Sequence, residues 1–223
     1  MAKLAGDELY QARMRKAEAE HASYSRALAR DAAPLLDELR NLGYNLESVW
    51  ALVNSANTYD KAIPVLVRHL DREYHPGNVE GIVRALTIQK ARGIAGAPLL
   101  ALFRESRLDA DLRWVVGNAL SVVATKSEVS EIVDLLEDRA YGASRGMLVF
   151  AVVRLMDAEA IPLLVPRLYE EGMAFSAIRV LGNLRAREAR QEIEAFVESA
   201  DGELRQEARK ALRKIDGAIM KKG

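Results

Sequence analysis

Cysteine is absent from the chain. That removes disulfides, thiolate nucleophiles and thiolate metal sites, and it fits a reducing compartment. Neither sign of charge predominates, since 32 Lys and Arg residues stand against 32 Asp and Glu residues. No global field therefore draws the molecule to nucleic acid or to an anionic membrane. Long apolar runs are lacking as well: nothing approaches the roughly 20 apolar residues of a membrane span. The first 30 residues are studded with charge where a signal peptide needs an apolar run. These absences predict a soluble, cytoplasmic protein without membrane contact. The three histidines, His21, His69 and His75, are dispersed, and no histidine or carboxylate pair at i, i+4 has the further ligand that a zinc site requires. GxGxxG, P-loop and GxSxG patterns are missing too. The sequence assigns no catalytic residue, no cofactor and no metal.

What the chain does have is a leucine-centred phrase that returns every 29 to 34 residues: Trp50-Ala51-Leu52, Arg84-Ala85-Leu86, Asn118-Ala119-Leu120, Phe150-Ala151-Val152, Val180-Leu181-Gly182 and Lys210-Ala211-Leu212. A period of this size means one helical unit, too small to bury its own apolar face, stacked on copies of itself. Six helix pairs follow, at about 31–60, 61–94, 95–126, 127–157, 158–186 and 187–217. Each opens with a short apolar helix, seen in Pro34-Leu35-Leu36, Ile63-Pro64-Val65-Leu66, Ala97-Pro98-Leu99-Leu100, Ile132-Val133-Asp134-Leu135-Leu136, Ile161-Pro162-Leu163-Leu164 and Ile193-Glu194-Ala195-Phe196. Pro34, Pro64, Pro98 and Pro162 sit in first turns, where the missing N–H removes only a donor that would be unpaired anyway. Pro166 falls one turn later and should bend its helix. Gly43, Gly77, Gly142, Gly172 and Gly202 fall between the two helices of their pairs and read as helix stops.

Residues of about 5–29 alternate alanine with charge, which favours a helix with a weak apolar stripe through Leu9, Met14, Tyr24 and Leu28. Its expected place is across the first pair, as the polar cap that a stacked array needs at its end. A free arm is the competing reading. The expected organisation is therefore a capping helix over 1–30, a repeat array over 31–217 and a short basic tail over 218–223. The fold class is all-α, a right-handed α-solenoid, or α-α superhelix, of about six helical hairpins.

Taking the repeated leucine as origin, positions six before, two before and two after it face away from the core at 100 degrees per residue. These should be polar. They are instead Trp50 and Asn54; Arg84 and Ile88; Trp114, Asn118 and Val122; Phe150 and Arg154; Phe175, Arg179 and Asn183; and Gln206, Lys210 and Lys214. Trp, Phe and Arg with Asn between them is the composition of an interaction surface. The partner-binding candidates are accordingly Trp50, Arg84, Trp114, Asn118, Phe150, Arg154, Phe175, Arg179, Asn183 and Lys210. The competing reading is that neighbouring helices already cover the rings.

Asp109, Arg113 and Leu120, then Asp201, Arg205 and Leu212, share one spacing. Arg145 and Val152 repeat it with Tyr141 in place of the aspartate. With these, and with the link Leu155-Met156-Asp157-Ala158-Glu159-Ala160-Ile161-Pro162, the chain after residue 30 resembles the HEAT-repeat family, in particular its short-repeat branch found in phycobilisome lyases. The resemblance implies first helices on a convex side and second helices on a concave, ligand-binding side. It also implies one of the function classes, a bilin lyase or its chaperone subunit holding a tetrapyrrole in the aromatic groove. Asp109 is expected to cap the helix that follows it, which leaves Asp111 as a weak acid–base candidate.

Three functions are thus compatible with the residues. The leading one is a non-catalytic scaffold that grips a helix or extended peptide of another protein. A nucleic-acid reader or repair protein would use Arg84, Arg154, Arg179, Lys210 and Lys214 as a basic track, with Asp111 and Trp114 near a substrate. The lyase-like reading comes third. Self-association through the same stripe is a further outcome, because a second copy would also cover the rings.

Overall fold

The computed structural model describes the backbone of residues 2–53 and 55–220 and the side chains of 10–53 and 55–218. Among these residues helix is the regular secondary structure throughout, joined by turns and loops, with no strand. After α1 (Ala2–Asp31) come six helix pairs: α2 (Ala33–Asn41) with α3 (Trp50–Val53), α4 (Ile63–Arg68) with α5 (Pro76–Leu86), α6 (Gly96–Arg104) with α7 (Ala110–Val123), α8 (Val129–Glu137) with α9 (Leu148–Met156), α10 (Ile161–Leu164) with α11 (Ala174–Leu184), and α12 (Arg190–Glu194) with α13 (Gly202–Met220). Short 3₁₀ turns lead into or extend most of the first helices.

The chain divides into two compact units, Met1–Ala85 and Leu86–Gly223. In the first, Leu35, Leu39, Leu52, Ile63, Leu66 and Ile82 are all but fully buried. The last turns of α1 dock on the start of α5. Asp31 accepts hydrogen bonds from the His75 N–H (2.9 Å) and the Asn78 amide (2.7 Å), while the Leu28 carbonyl takes a second Asn78 amide bond. The expected stripe of α1 is engaged only at that end. Tyr24 meets His75 edge-on, Met14 and Tyr10 are exposed, and the Leu9 side chain lies outside the described residues.

In the second unit each second helix packs on the first helix of its own pair and on the second helix of the next, α7 on α6 and α9, α9 on α8 and α11, and α11 on α10 and α13. Local chemistry fixes these elements. Asp109 accepts from the Leu112 N–H at 2.8 Å and so caps α7 as expected, and Asp201 does the same for α13 through the Glu203 and Leu204 N–H groups. Thr125 and Glu128 form a capping box ahead of α8. The repeated arginine donates to backbone carbonyls at or beyond the end of the first helix in its pair. Arg113 donates to the Phe103 and Glu105 carbonyls at 3.0 and 2.9 Å, Arg145 to Leu136 and Gly142, and Arg205 to Ser199 and Ala200.

Several expectations change. Gly43, Gly142 and Gly172 adopt positive φ as stops should. Gly77 and Gly202 do not, because they lie inside the first turns of α5 and α13. Pro166 does not bend a continuing helix: α10 ends at Leu164 and the chain goes on as a 3₁₀ turn over Val165–Tyr169. Leu52, Leu86, Leu120, Val152 and Leu181 are buried, but Leu212 is only half-buried, and α13 instead buries Ala208, Ala211 and Ile215. That helix also runs to Met220, through part of the expected tail.

Candidate interaction face

The described residues named above as facing away from the repeated leucines all escape full burial. In the second unit Trp114 is the most exposed large ring among them, at 43%. Asn118, Val122, Phe150, Phe175 and Arg179 are half-buried, and Arg154, Asn183, Gln206 and Lys214 are exposed. A rotation of 100 degrees per residue puts Trp114 and Asn118 on the same side of α7.

The cations of this stripe are engaged within the molecule. Arg154 donates through Nε to the Ser121 carbonyl and through a terminal nitrogen to the Ala124 carbonyl, each at 2.6 Å, closing the carbonyl end of α7. Burial lowers its pKa, and the Arg92 charge acts in the same sense. Arg92 joins it there with a bond to the Val122 carbonyl. Arg179 lies over the Phe175 ring, 4.5 Å from the centroid, and reaches Glu207 at 3.3 Å. Lys210 approaches the other oxygen of Glu207 at 3.7 Å, and Lys214 donates to the Asn183 amide oxygen at 2.7 Å. Glu207 itself is 5% exposed. The sequence reading missed it, although Glu207 and Lys210 stand at i, i+3 and Glu207 follows Arg179 at about one repeat length.

Trp50 and Arg84 form a group of their own in the first unit. The Trp50 indole N–H donates to the Gly77 carbonyl at 3.1 Å, and Arg84 pairs with Glu80 at 2.8 Å with its guanidinium 6.0 Å from the Trp50 ring centroid. Trp50, His21, Tyr24 and Glu47 line a cleft of about 570 Å³. Asn54 lies outside the described residues.

Two polar clusters went unseen in the sequence. Tyr74, His69 and Glu38 form a line, with Tyr74 Oη 2.6 Å from His69 Nδ1 and His69 Nε2 3.1 Å from Glu38 Oε1. Burial lowers the His69 pKa against the pull of Glu38. Hydrogen bonds from Arg68 and then His69 hold Glu38 below the ordinary carboxylate range. The imidazole is 1% exposed, which closes it to a substrate from solvent. The second cluster is Glu170 with Arg145 at 2.7 Å, Arg167 at 2.5 Å and Arg139 at 3.6 Å. Burial pushes the Glu170 pKa up, but the arginine hydrogen bonds and charges together bring it below the usual value. Both clusters tie neighbouring elements together and leave no free nucleophile or base.

Asp109 is spent as a cap, and Asp111 is exposed. Among the described residues no group of three or more His, Asp and Glu side chains is arranged to hold a metal ion, and no helix is long and apolar enough to cross a membrane. No protein-family model matches the chain, and no curated protein matches it in sequence.

Proposed function

We propose that this chain is a non-catalytic, HEAT-like α-solenoid that binds a helix or extended segment of another protein along its second helices. The observation that carries the reading is Trp114, a tryptophan left 43% exposed on α7 in a helix whose other face is packed. Covering a large aromatic removes on the order of 150–250 Å² from water, and at about 25 cal/mol per Å² the part still open on Trp114 is worth roughly 2 kcal/mol to a partner. Half-buried Phe175, at the same position two pairs on, and half-buried Phe150, two residues before Val152 on the same face, extend the apolar area. The order of the helix pairs and the packing of α7, α9, α11 and α13 on one another support the solenoid, in which these positions share one concave surface.

The state of the cations favours a protein partner over nucleic acid. A phosphate track needs uncommitted Lys and Arg, whereas Arg154 is held by two carbonyls and Arg179 and Lys210 share the Glu207 carboxylate. The test is affinity capture from native lysate with the wild-type chain and a Trp114→Ala/Phe150→Ala variant, washed at low and moderate salt. A protein retained at moderate salt and lost with the variant is the expected result. Nucleic acid released by moderate salt, or a protein retained equally by the variant, overturns the reading.

A further inference from the structure

The carbonyl end of α11 and the last turns of α13 enclose a small cleft of about 200 Å³ lined by Arg185, Arg213, Lys214 and Gly217. We propose that Arg185, Arg213 and Lys214 form a binding site for a phosphate group that does not require Trp114.

The first support is the charge balance of the cleft. Among the described residues its lining brings three cations together and contributes no carboxylate. The acid nearest in sequence, Asp216, is held by Arg190 at 2.8 Å. Among the described residues, the Arg185 and Arg213 guanidinium groups have no hydrogen-bond or ion-pair partner. This sets them apart from the arginines of the second-helix stripe, each of which is tied to a carbonyl or a carboxylate. Lys214 is oriented by Asn183 at 2.7 Å, and an ammonium retains two further donors after that bond. The carbonyl end of α11 favours one nearby cation, but a helix end supplies only about half a charge, which leaves most of the positive charge unanswered.

The second support is the backbone. Arg185 occupies the left-handed region at φ 55°, ψ 41°, a conformation that favours glycine. It is locked there because its N–H bonds to the Gly182 carbonyl at 3.1 Å while the N–H of buried Ala186 bonds to the Leu181 carbonyl at 3.0 Å. This is the six-residue helix ending in which glycine normally occupies the Arg185 position. On α13, Gly217 sits four residues after Arg213 and three after Lys214, and a β-carbon there would meet nothing within 4 Å. An arginine where glycine suits the backbone and a glycine where a longer side chain suits the helix both depart from local preference at the same cleft. Such departures are expected to cluster where a site is kept. The three cations line one cleft that is open at Gly217, and two guanidinium groups with an ammonium are donors of the kind that the oxygens of a tetrahedral dianion accept.

The decisive variant is Arg185→Gly, because it removes a ligand while placing in the left-handed position the residue best suited to it, so the fold is retained. Inorganic phosphate and glycerol phosphate are titrated separately, with amide shifts followed by NMR and sodium chloride at matched ionic strength as control. The expected result is saturable shifts at Gly217, Lys214 and Arg185 with at least one of the two phosphates, and a dissociation constant raised about tenfold or more by Arg185→Gly and again by Arg213→Ala. Saturation by inorganic phosphate identifies the free ion as sufficient, and saturation by glycerol phosphate alone assigns the site to an esterified group. Equal affinity in Arg185→Gly, the same shifts with chloride alone, or no saturable shift with either phosphate overturns the site. Trp114→Ala should leave phosphate affinity unchanged, which separates this site from the face proposed for protein binding.

Discussion

Gly182 of α11 faces Ala211 of α13 so closely that a β-carbon on Gly182 would stand 2.6 Å from the Ala211 β-carbon and 2.7 Å from its α-carbon. Real β-carbons do not approach one another like this, so the glycine sets the separation of the two helices. Part of the obstruction is backbone, which no rotamer change can clear.

Gly182→Ala should therefore destabilise the chain, although alanine is the better helix former by about 1 kcal/mol. Overpacking of this kind costs roughly 1–3 kcal/mol, and in a chain of this size each kcal/mol moves Tm by about 2–4 °C. Thermal unfolding followed by circular dichroism checks it, and an unchanged or raised Tm would show that the helices can separate freely.

Arg185 gives the opposite expectation. Its left-handed backbone costs a residue with a β-carbon about 1 kcal/mol, so Arg185→Gly should gain roughly that amount in urea unfolding. Arg185→Ala keeps the β-carbon and should gain much less. If alanine stabilises as much as glycine, the relief comes from removing charge and not from the backbone.

These cases mark where sequence reading succeeds and where it stops. Asp109 and the repeated core positions from Leu52 to Leu181 were readable because their roles are set within one helix or one helix end. The partners of the exposed stripe were not. Arg154 meets Ser121, Arg179 meets Glu207 and Glu38 meets His69 across about one repeat length, and such distances are decided by how successive pairs stack. Helical geometry placed Arg154 and Arg179 away from the packed leucines, yet it could not show that the groups they turn toward belong to this chain. Gly77 and Gly202 misled for a related reason, since glycine inside a first turn and glycine at a helix stop look alike without φ.

The His69 environment carries a pH dependence. A neutral imidazole satisfies both neighbours, taking the Tyr74 hydroxyl proton at Nδ1 and donating its Nε2 proton to Glu38, and burial keeps the folded pKa below 6.5. Above that value folded and unfolded chains are equally unprotonated at this position and it adds no slope. As pH falls below about 6.5 the unfolded chain takes up a proton that the folded chain refuses, and stability declines toward the folded pKa. Glu38, whose pKa is depressed, contributes its loss only in the more acid range below about 4.5. Urea midpoints should fall as pH is lowered below about 6.5, and His69→Gln should flatten that slope while lowering stability overall. A slope unchanged in His69→Gln would assign the effect to other groups.

Arg145 is 2% exposed and serves Leu136, Gly142 and Glu170 at once. Arg145→Ala would strand two carbonyls and leave the buried carboxylate with fewer donors, at a cost of about 3 kcal/mol or more. Lysine should not rescue it, because one ammonium cannot reproduce the planar fork across three acceptors. A denaturant series on both variants checks this, and full rescue by lysine would show that charge alone matters there.

The two tryptophans should separate stability from binding. Trp50 donates to the Gly77 carbonyl at 3.1 Å, packs against Gly81 and lies beside Arg84, so Trp50→Ala should cost about 3 kcal/mol. Trp114 is the open ring, and its replacement by alanine should cost about 1 kcal/mol or less while weakening partner binding tenfold or more. Urea unfolding and affinity capture on the two single variants give both numbers for each. A residue that costs little in folding and much in binding exists for the partner. If Trp114→Ala instead unfolds the protein as readily as Trp50→Ala, its ring belongs to the core, and the surface that proposes a protein partner is not there.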